Sequence, residues 1–192
     1  MGRPPQHDAD RLLDAAVALV AETGPRGVTM AAVARAAGAP SGSVYHRFPD
    51  QAALLSALWL RTAFRFQEGF FAALDGQPQE AAVAAARYVV KWCRAHPDEA
   101  KVLLAGAGAF GAAEWAESAR DRLAAGNAQV EQALADLAQR LGRTDARGHS
   151  RVVLAVVDLP YAVVRRYLVR GDPIPALEVG TVADAVRDLL AG

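Results

Sequence analysis

Between Thr29 and Phe48 the chain has room for two helices of about eight residues each, set three residues apart, and for nothing longer. Thr29 is a good cap for the first, Thr29-Met-Ala-Ala-Val-Ala-Arg-Ala-Ala37, and Gly38 stops it. Pro40-Ser41 restarts a helix, with Ser41 expected as its cap, and Phe48-Pro49-Asp50 breaks it after Arg47. Two short helices joined by a turn containing Gly constrain the fold more than any other stretch of the sequence.

The flanking chain is helical too. From Ala9 to Glu22, Leu12, Ala15, Ala16, Leu19 and Val20 recur at helical spacing; Asp8 or Asp10 can cap the start, and Gly24-Pro25 ends the run. Asp50 is placed to cap a long helix reaching about Leu74, and further helical patterns cover about 80–95, 98–107, 114–140, 149–170 and 177–191. With 44 alanines in 192 residues, composition favours the same state. No segment alternates like a half-buried strand, so the expected fold is all-α with about nine helices.

In the second short helix Val44 and Phe48, four apart, fall on one face and can bury. Ser43, Tyr45, His46 and Arg47 are left outside, each able to donate to phosphate or base edges. Helix, Gly-containing turn and second helix form the helix-turn-helix pattern, whose second helix lies in the DNA major groove. Gly42 lets backbone approach DNA closely. The formal charge of the chain is zero, but no acid lies between Glu22 and Asp50, while Arg26, Arg35 and Arg47 do.

Residues of about 9–55 resemble the DNA-binding domain of the tetracycline-repressor (TetR) family of transcriptional regulators. The matching pieces are Leu12-Leu13-x-Ala15-Ala16-x-x-Leu19-Val20-x-x-x-Gly24, Thr29-Met30-x-x-Val33-Ala34-x-x-Ala37-Gly38-Ala39 and Gly42-Ser43-Val44-Tyr45-His46-x-Phe48-Pro49-Asp50-x-x-x-Leu54-Leu55. The resemblance implies phosphate contacts at Thr29, Ser43 and Tyr45, and base-facing positions at Ser41, Gly42 and His46, with Arg47 where the family often has a polar or basic residue. Gln51 stands where the family usually has Lys, which replaces an ionic backbone contact by a neutral one. By the same resemblance residues 1–50 form the helix-turn-helix domain and 51–192 a helical domain for effector binding and dimerisation. It also implies a repressor that binds double-stranded operator DNA as a homodimer and responds to a small-molecule effector.

Two-fold pairing of helices 149–170 and 177–191 is the expected interface. Helix 149–170 is apolar nearly all round, and Val179, Val182, Val186, Leu189 and Leu190 form one stripe on the other, so both need covering. The effector is expected to be apolar or aromatic, with Trp92, Phe110, Asp158 and Tyr161 as candidate pocket residues and Arg87 and His96 as further polar groups beside the aromatic stretches. Pro160, inside an apolar helix, is expected to kink or break it.

One rival reading comes from Gly106-Ala-Gly108-Ala-Phe-Gly111, which fits the dinucleotide fingerprint after Val102-Leu103-Leu104 and points to a nicotinamide-dependent enzyme. That fingerprint needs a βαβ unit, and Glu131, at the spacing of the ribose-binding acid, lies in a helical run. The glycines are therefore read as a helix break, and neither a catalytic residue nor a cofactor is expected. Metal is not expected either: the four histidines stand far apart, and Asp145 and His149, at i,i+4, straddle a loop-to-helix junction. Cys93, the single cysteine, excludes an internal disulfide and suits a reducing cytosol. The N-terminus lacks the apolar core of a signal peptide, and the most apolar segment, 152–164, is too short to span a bilayer, so a soluble cytoplasmic protein is expected.

Overall fold

The computed structural model describes residues 5–191. These are folded into α1 (Pro5–Thr23), α2 (Met30–Ala36), α3 (Ser41–Arg47), α4 (Gln51–Ala73), α5 (Pro78–Ala95), α6 (Pro97–Ala105), α7 (Glu117–Arg140), α8 (Ala146–Val153), α9 (Leu159–Leu168) and α10 (Glu178–Ala191). A π-helical turn, Leu154–Asp158, carries α8 into α9 without a break, so the described residues form nine continuous helices and no strand. The all-α expectation holds.

The chain divides into two compact units, Met1–Ala63 with Asp98–Ala124, and Phe64–Pro97 with Ala125–Gly192. In the first, α1 packs on α2 and α2 on α3. Leu12, Leu13, Ala16, Val17 and Val20 of α1 are buried, as are Met30, Val33 and Ala34 of α2 and Val44 of α3. Each large aliphatic chain taken from water contributes about 1.5–3 kcal/mol. Seven-residue helices are too short to stand in water alone, so this shared core holds α2 and α3 in place.

In the second unit α5 is the central helix, with α9 and α10 packed on it. Its buried face carries Ala81, Ala82, Ala85 and Ala86 beside Val83, Val89 and Val90. Alanine at the contact loses no rotamer freedom and lets helix backbones approach closely. The valine stripe read on the last helix is partly used here: Val182 and Val186 are buried against the body of this unit.

The expected caps divide. The Thr29 hydroxyl accepts from the Ala32 amide at 3.1 Å, and the Asp50 carboxylate from the Ala53 amide at 2.7 Å, as predicted. Ser41 does not cap α3: Pro40 occupies the cap position, and its carbonyl accepts from the Ser43 amide at 2.9 Å. Neither Asp8 nor Asp10 opens α1, because the helix already starts at Pro5. Asp145 is engaged as the cap of α8, accepting from the Gly148 amide at 2.6 Å.

Pro160 does not end its helix. Proline lacks an N–H, and its ring collides with the carbonyl four residues back in an α-helix. The π turn immediately before it relieves that collision by a local widening of the helix. Around Gly106 and Gly111, with φ of 73° and 71°, the chain makes two short 3-10 turns, and Val102–Leu104 lie inside α6. Without a strand on either side, the fingerprint has no βαβ unit to act in. The helical run expected from 114 begins at Glu117.

Candidate nucleic-acid interface

The face of α3 follows from two buried residues. Val44 is fully buried and Phe48 nearly so, which fixes the rotation of the helix. Ser41, Gly42, Ser43, His46 and Arg47 are consequently exposed, and Tyr45 keeps 57% of its surface. A tyrosine with that much surface is no core aromatic. A Cβ added at Gly42 would meet nothing within 4 Å, so the outer side of the helix is open there.

The turn is closed by backbone. Gly38, at φ 59°, is the one left-handed residue in it, and the Ala39 amide donates to the Ala34 carbonyl at 2.9 Å. Arg11, reaching from α1, donates through Nη2 to the carbonyl of Ala37 at 2.7 Å. A cleft of about 390 Å³ opens beside this contact, lined by Arg11, Leu12, Gly38, Ala39, Pro40, Ser43, His46 and Arg47. Sequence reading missed Arg11. Its only signal is a basic side chain one position past Asp10, and α1's packing on α2 has to be known before that acquires meaning.

The charge around the cleft has a structural cause. Asp10 and Asp14 are turned to Arg61, with its nitrogens 3.4 and 2.8 Å from their carboxylates. Among the described residues no carboxylate pairs with Arg11, His46 or Arg47. Together with the acid-free window from 23 to 49, this leaves the α3 side of the unit cationic.

Thr29 is exposed, its hydroxyl oxygen already engaged as the α2 cap. Gln51 is also exposed, but its amide Nε2 donates to the carbonyl of Val28 at 3.0 Å. The side chain therefore ties the start of α4 to the segment before α2.

The effector candidates are not gathered in one unit. Phe110 is buried in the first, where its carbonyl accepts from the Trp115 indole at 2.9 Å. Trp92 is buried in the second, edge-on to Phe66 at 5.2 Å and tilted on His96 at 5.2 Å. Asp158 and Tyr161 are exposed on that second unit, as is Arg87. Cys93 is buried, and desolvation pushes its thiol up to about 12. Among the described residues no group of three or more His, Cys, Asp or Glu side chains is placed to hold a metal, and no helix is long and apolar enough to cross a membrane.

A short helix seated by two buried residues, with hydroxyl, phenol, imidazole and guanidinium outward beside a tight turn, defines a helix-turn-helix DNA-binding regulator. Residues 12–58 match the family model described as bacterial regulatory proteins, tetR family. That match covers the helix-turn-helix and the helices on either side of it, and assigns those residues to the DNA-binding region of that family of transcriptional regulators.

The likeness of fold runs along almost the whole chain. A TetR-like transcriptional regulator from Rhodococcus sp. RHA1 superposes with a TM-score of 0.67 at 23% identity, over 95% of this chain and 92% of that one. A TetR transcription regulator from Haloarcula marismortui gives a TM-score of 0.72 at 16% identity, over 97% of both chains. The transcriptional regulator FadR from Bacillus subtilis, solved in complex with stearoyl-CoA, gives 0.69 at 14% identity, over 94% and 96%. At such identities these matches speak to fold alone. No curated protein sequence matches the chain.

Proposed function

We propose that this regulator is a cytoplasmic, effector-responsive repressor that binds operator DNA as a homodimer. The observation that carries the reading is the outward face of α3, where Ser43, Tyr45, His46 and Arg47 are exposed while Val44 and Phe48 are seated. Thr29, Ser43 and Tyr45 contact phosphates, and Ser41, Gly42 and His46 face base edges in the major groove, with Arg47 alongside. Residues 1–50 read DNA and 51–192 form the regulatory and dimerising body.

The effector is a small apolar or aromatic ligand. A FadR with the same fold, solved with stearoyl-CoA, supports an effector that carries a long apolar chain, and Trp92, Phe110, Asp158 and Tyr161 are the residues to probe. Effector binds the state whose two recognition helices are wrongly spaced for the operator, and shifts the population toward it. Coupling of this kind is worth about 1–3 kcal/mol, or roughly 5–150-fold in DNA affinity.

The test is selection from a random duplex library with the full chain, followed by anisotropy titration of the enriched duplex with and without long-chain acyl-CoAs. An enriched inverted repeat, released by ligand, is expected. Absence of duplex binding at low salt overturns the reading as a whole. Binding to an enriched duplex that is unaffected by acyl-CoAs overturns that effector class only.

A further inference from the structure

We propose that Arg11 of α1 is a DNA-contact residue that binds a backbone phosphodiester in the cleft beside α3 while holding the turn through Ala37. The inference rests on the DNA-binding reading above and adds a residue and an anchoring point to it. Arg11 is exposed, yet one of its terminal nitrogens is fixed on the Ala37 carbonyl at 2.7 Å. A guanidinium carries five donors in a rigid fork. One donor on a carbonyl leaves the others, and the whole charge, for an anion.

The cleft supplies the rest of the site. Ser43, His46 and Arg47 line it from α3, and Gly38, Ala39 and Pro40 from the turn. Among the described residues none of its lining side chains is acidic, and none of its basic groups is paired with a carboxylate. Asp10 and Asp14, close to Arg11 in sequence, are turned to Arg61 and not to Arg11. An uncompensated cation beside the base-reading helix fits a polyanion that arrives along that helix.

Holding both partners at once gives Arg11 a second consequence. The Ala37 carbonyl belongs to the end of α2, so a phosphate drawn to Arg11 sets the turn, and with it α3, at a fixed height over the groove. Arg11 thus acts on affinity directly and on the register of His46 through the turn.

The test uses the full-length protein and a mixed-sequence duplex, with log K followed against log salt. Arg11→Gln can still donate to Ala37 but carries no charge. It is expected to flatten the slope by about 0.9 for each subunit engaged, with an unchanged melting temperature. Arg11→Lys keeps the charge and is expected to keep the slope. Arg11→Ala loses charge and hydrogen bond, and should flatten the slope while also lowering the melting temperature.

A parental slope for Arg11→Gln, with only Arg11→Ala less stable, makes Arg11 a structural clamp and overturns the proposal. If the parent protein shows no salt-dependent duplex binding, the DNA-binding reading itself falls. A free anion is the other source of the same chemistry. Phosphate replacing chloride at equal ionic strength is expected to shift the melting temperatures of the parent and of Arg11→Gln equally, and a rise confined to the parent would place a free anion in the cleft and overturn the assignment to DNA.

Discussion

The side-chain amide of Gln51, at the first turn of α4, donates to the carbonyl of Val28, 23 residues earlier, at 3.0 Å. Val28 itself is fully buried. The bond therefore ties α4 to the chain just ahead of the DNA-binding helices, and it engages one of the two donors of the amide that sequence alone assigns to a phosphate.

Substitutions at Gln51 separate the two roles. Removing one partner of a part-buried hydrogen bond costs about 1 kcal/mol, so Gln51→Ala is expected to lose about that in urea unfolding. Gln51→Glu is worse, because it sets an acceptor against the Val28 carbonyl and places an acid at the edge of the acid-free window. It should also weaken duplex binding. Gln51→Lys can donate to Val28 or reach DNA, but not both with one contact. A salt slope steeper by up to about 0.9 per subunit marks the second outcome. An unchanged slope shows that the Val28 tie prevails.

Sequence revealed α3 and its face because both depend on local spacing: Val44 and Phe48 lie four apart, and everything between them must point out. It revealed Thr29 and Asp50 as caps for the same reason, since a cap acts within three residues. Ser41 failed as a cap because Pro40, one residue earlier, suffices with backbone alone. The bonds made by Arg11 and Gln51 were invisible for a different reason. Their partners, Ala37 and Val28, are backbone carbonyls 26 and 23 residues away, which no pattern of side chains records. The π turn before Pro160 was likewise hidden, because a proline announces its own conflict but not the relief the neighbouring backbone finds.

Tyr45 and His46 should separate phosphate contact from base reading. Tyr45→Phe removes only a hydroxyl from an exposed ring, so stability should stay within about 0.5 kcal/mol. Affinity should fall equally for the selected operator and a random duplex, because phosphates carry no sequence information. His46→Ala should lower the ratio of operator to random affinity. Equal losses on both duplexes for both variants would place His46 on the backbone as well.

Cys93 predicts a pH response of definite sign. Burial raises its thiol from 9.0 to about 12, so the folded state holds the proton that the unfolded chain releases. The stabilisation is complete below pH of about 9 and is lost as pH rises toward about 12. Cys93→Ala should therefore flatten the alkaline limb of stability against pH. At pH 8 the native thiol should resist a disulfide reagent and react in step with unfolding in urea. Fast stoichiometric labelling of the native protein would contradict its burial.

Glu178 is buried at the start of α10, and one carboxylate oxygen accepts from both Arg166, at 2.5 Å, and the Tyr167 hydroxyl. Its other oxygen is buried without a protein partner. The hydrogen bond to Glu178 is the main cause that raises the Tyr167 phenol, with burial adding to it. Glu178→Gln keeps the accepting oxygen but puts two donors where one oxygen is already unpartnered, while Glu178→Ala strands both Arg166 and Tyr167. Both should melt earlier than the parent, Glu178→Ala the more so. A melting temperature unchanged in Glu178→Ala would show that the cluster contributes nothing to α10.

The proposed dimer turns on the outward side of α8, the π turn and α9. The inward side of this helix is spent within the protomer, where Val152, Ala155, Val156, Val164 and Leu168 are buried. Outward lie Leu154, Tyr161 and Val169, exposed by 45%, 46% and 64%, at steps of seven and eight residues, or about two turns each. Leu177, exposed by 68%, stands just ahead of α10. Isolated exposed apolar residues need no explanation, but a row of them along one helix matches the surface a two-fold pairing covers. A symmetric interface presents each residue twice, so one substitution there acts on both subunits. Tyr161→Glu is expected to yield a folded monomer by light scattering at micromolar concentration, with an unchanged helical spectrum. Its DNA affinity should fall steeply, because each monomer then reads only one half-site. A Tyr161→Glu protein that scatters as the parent dimer would move the interface off this row. A parent that scatters as a monomer would remove the dimer from the mechanism.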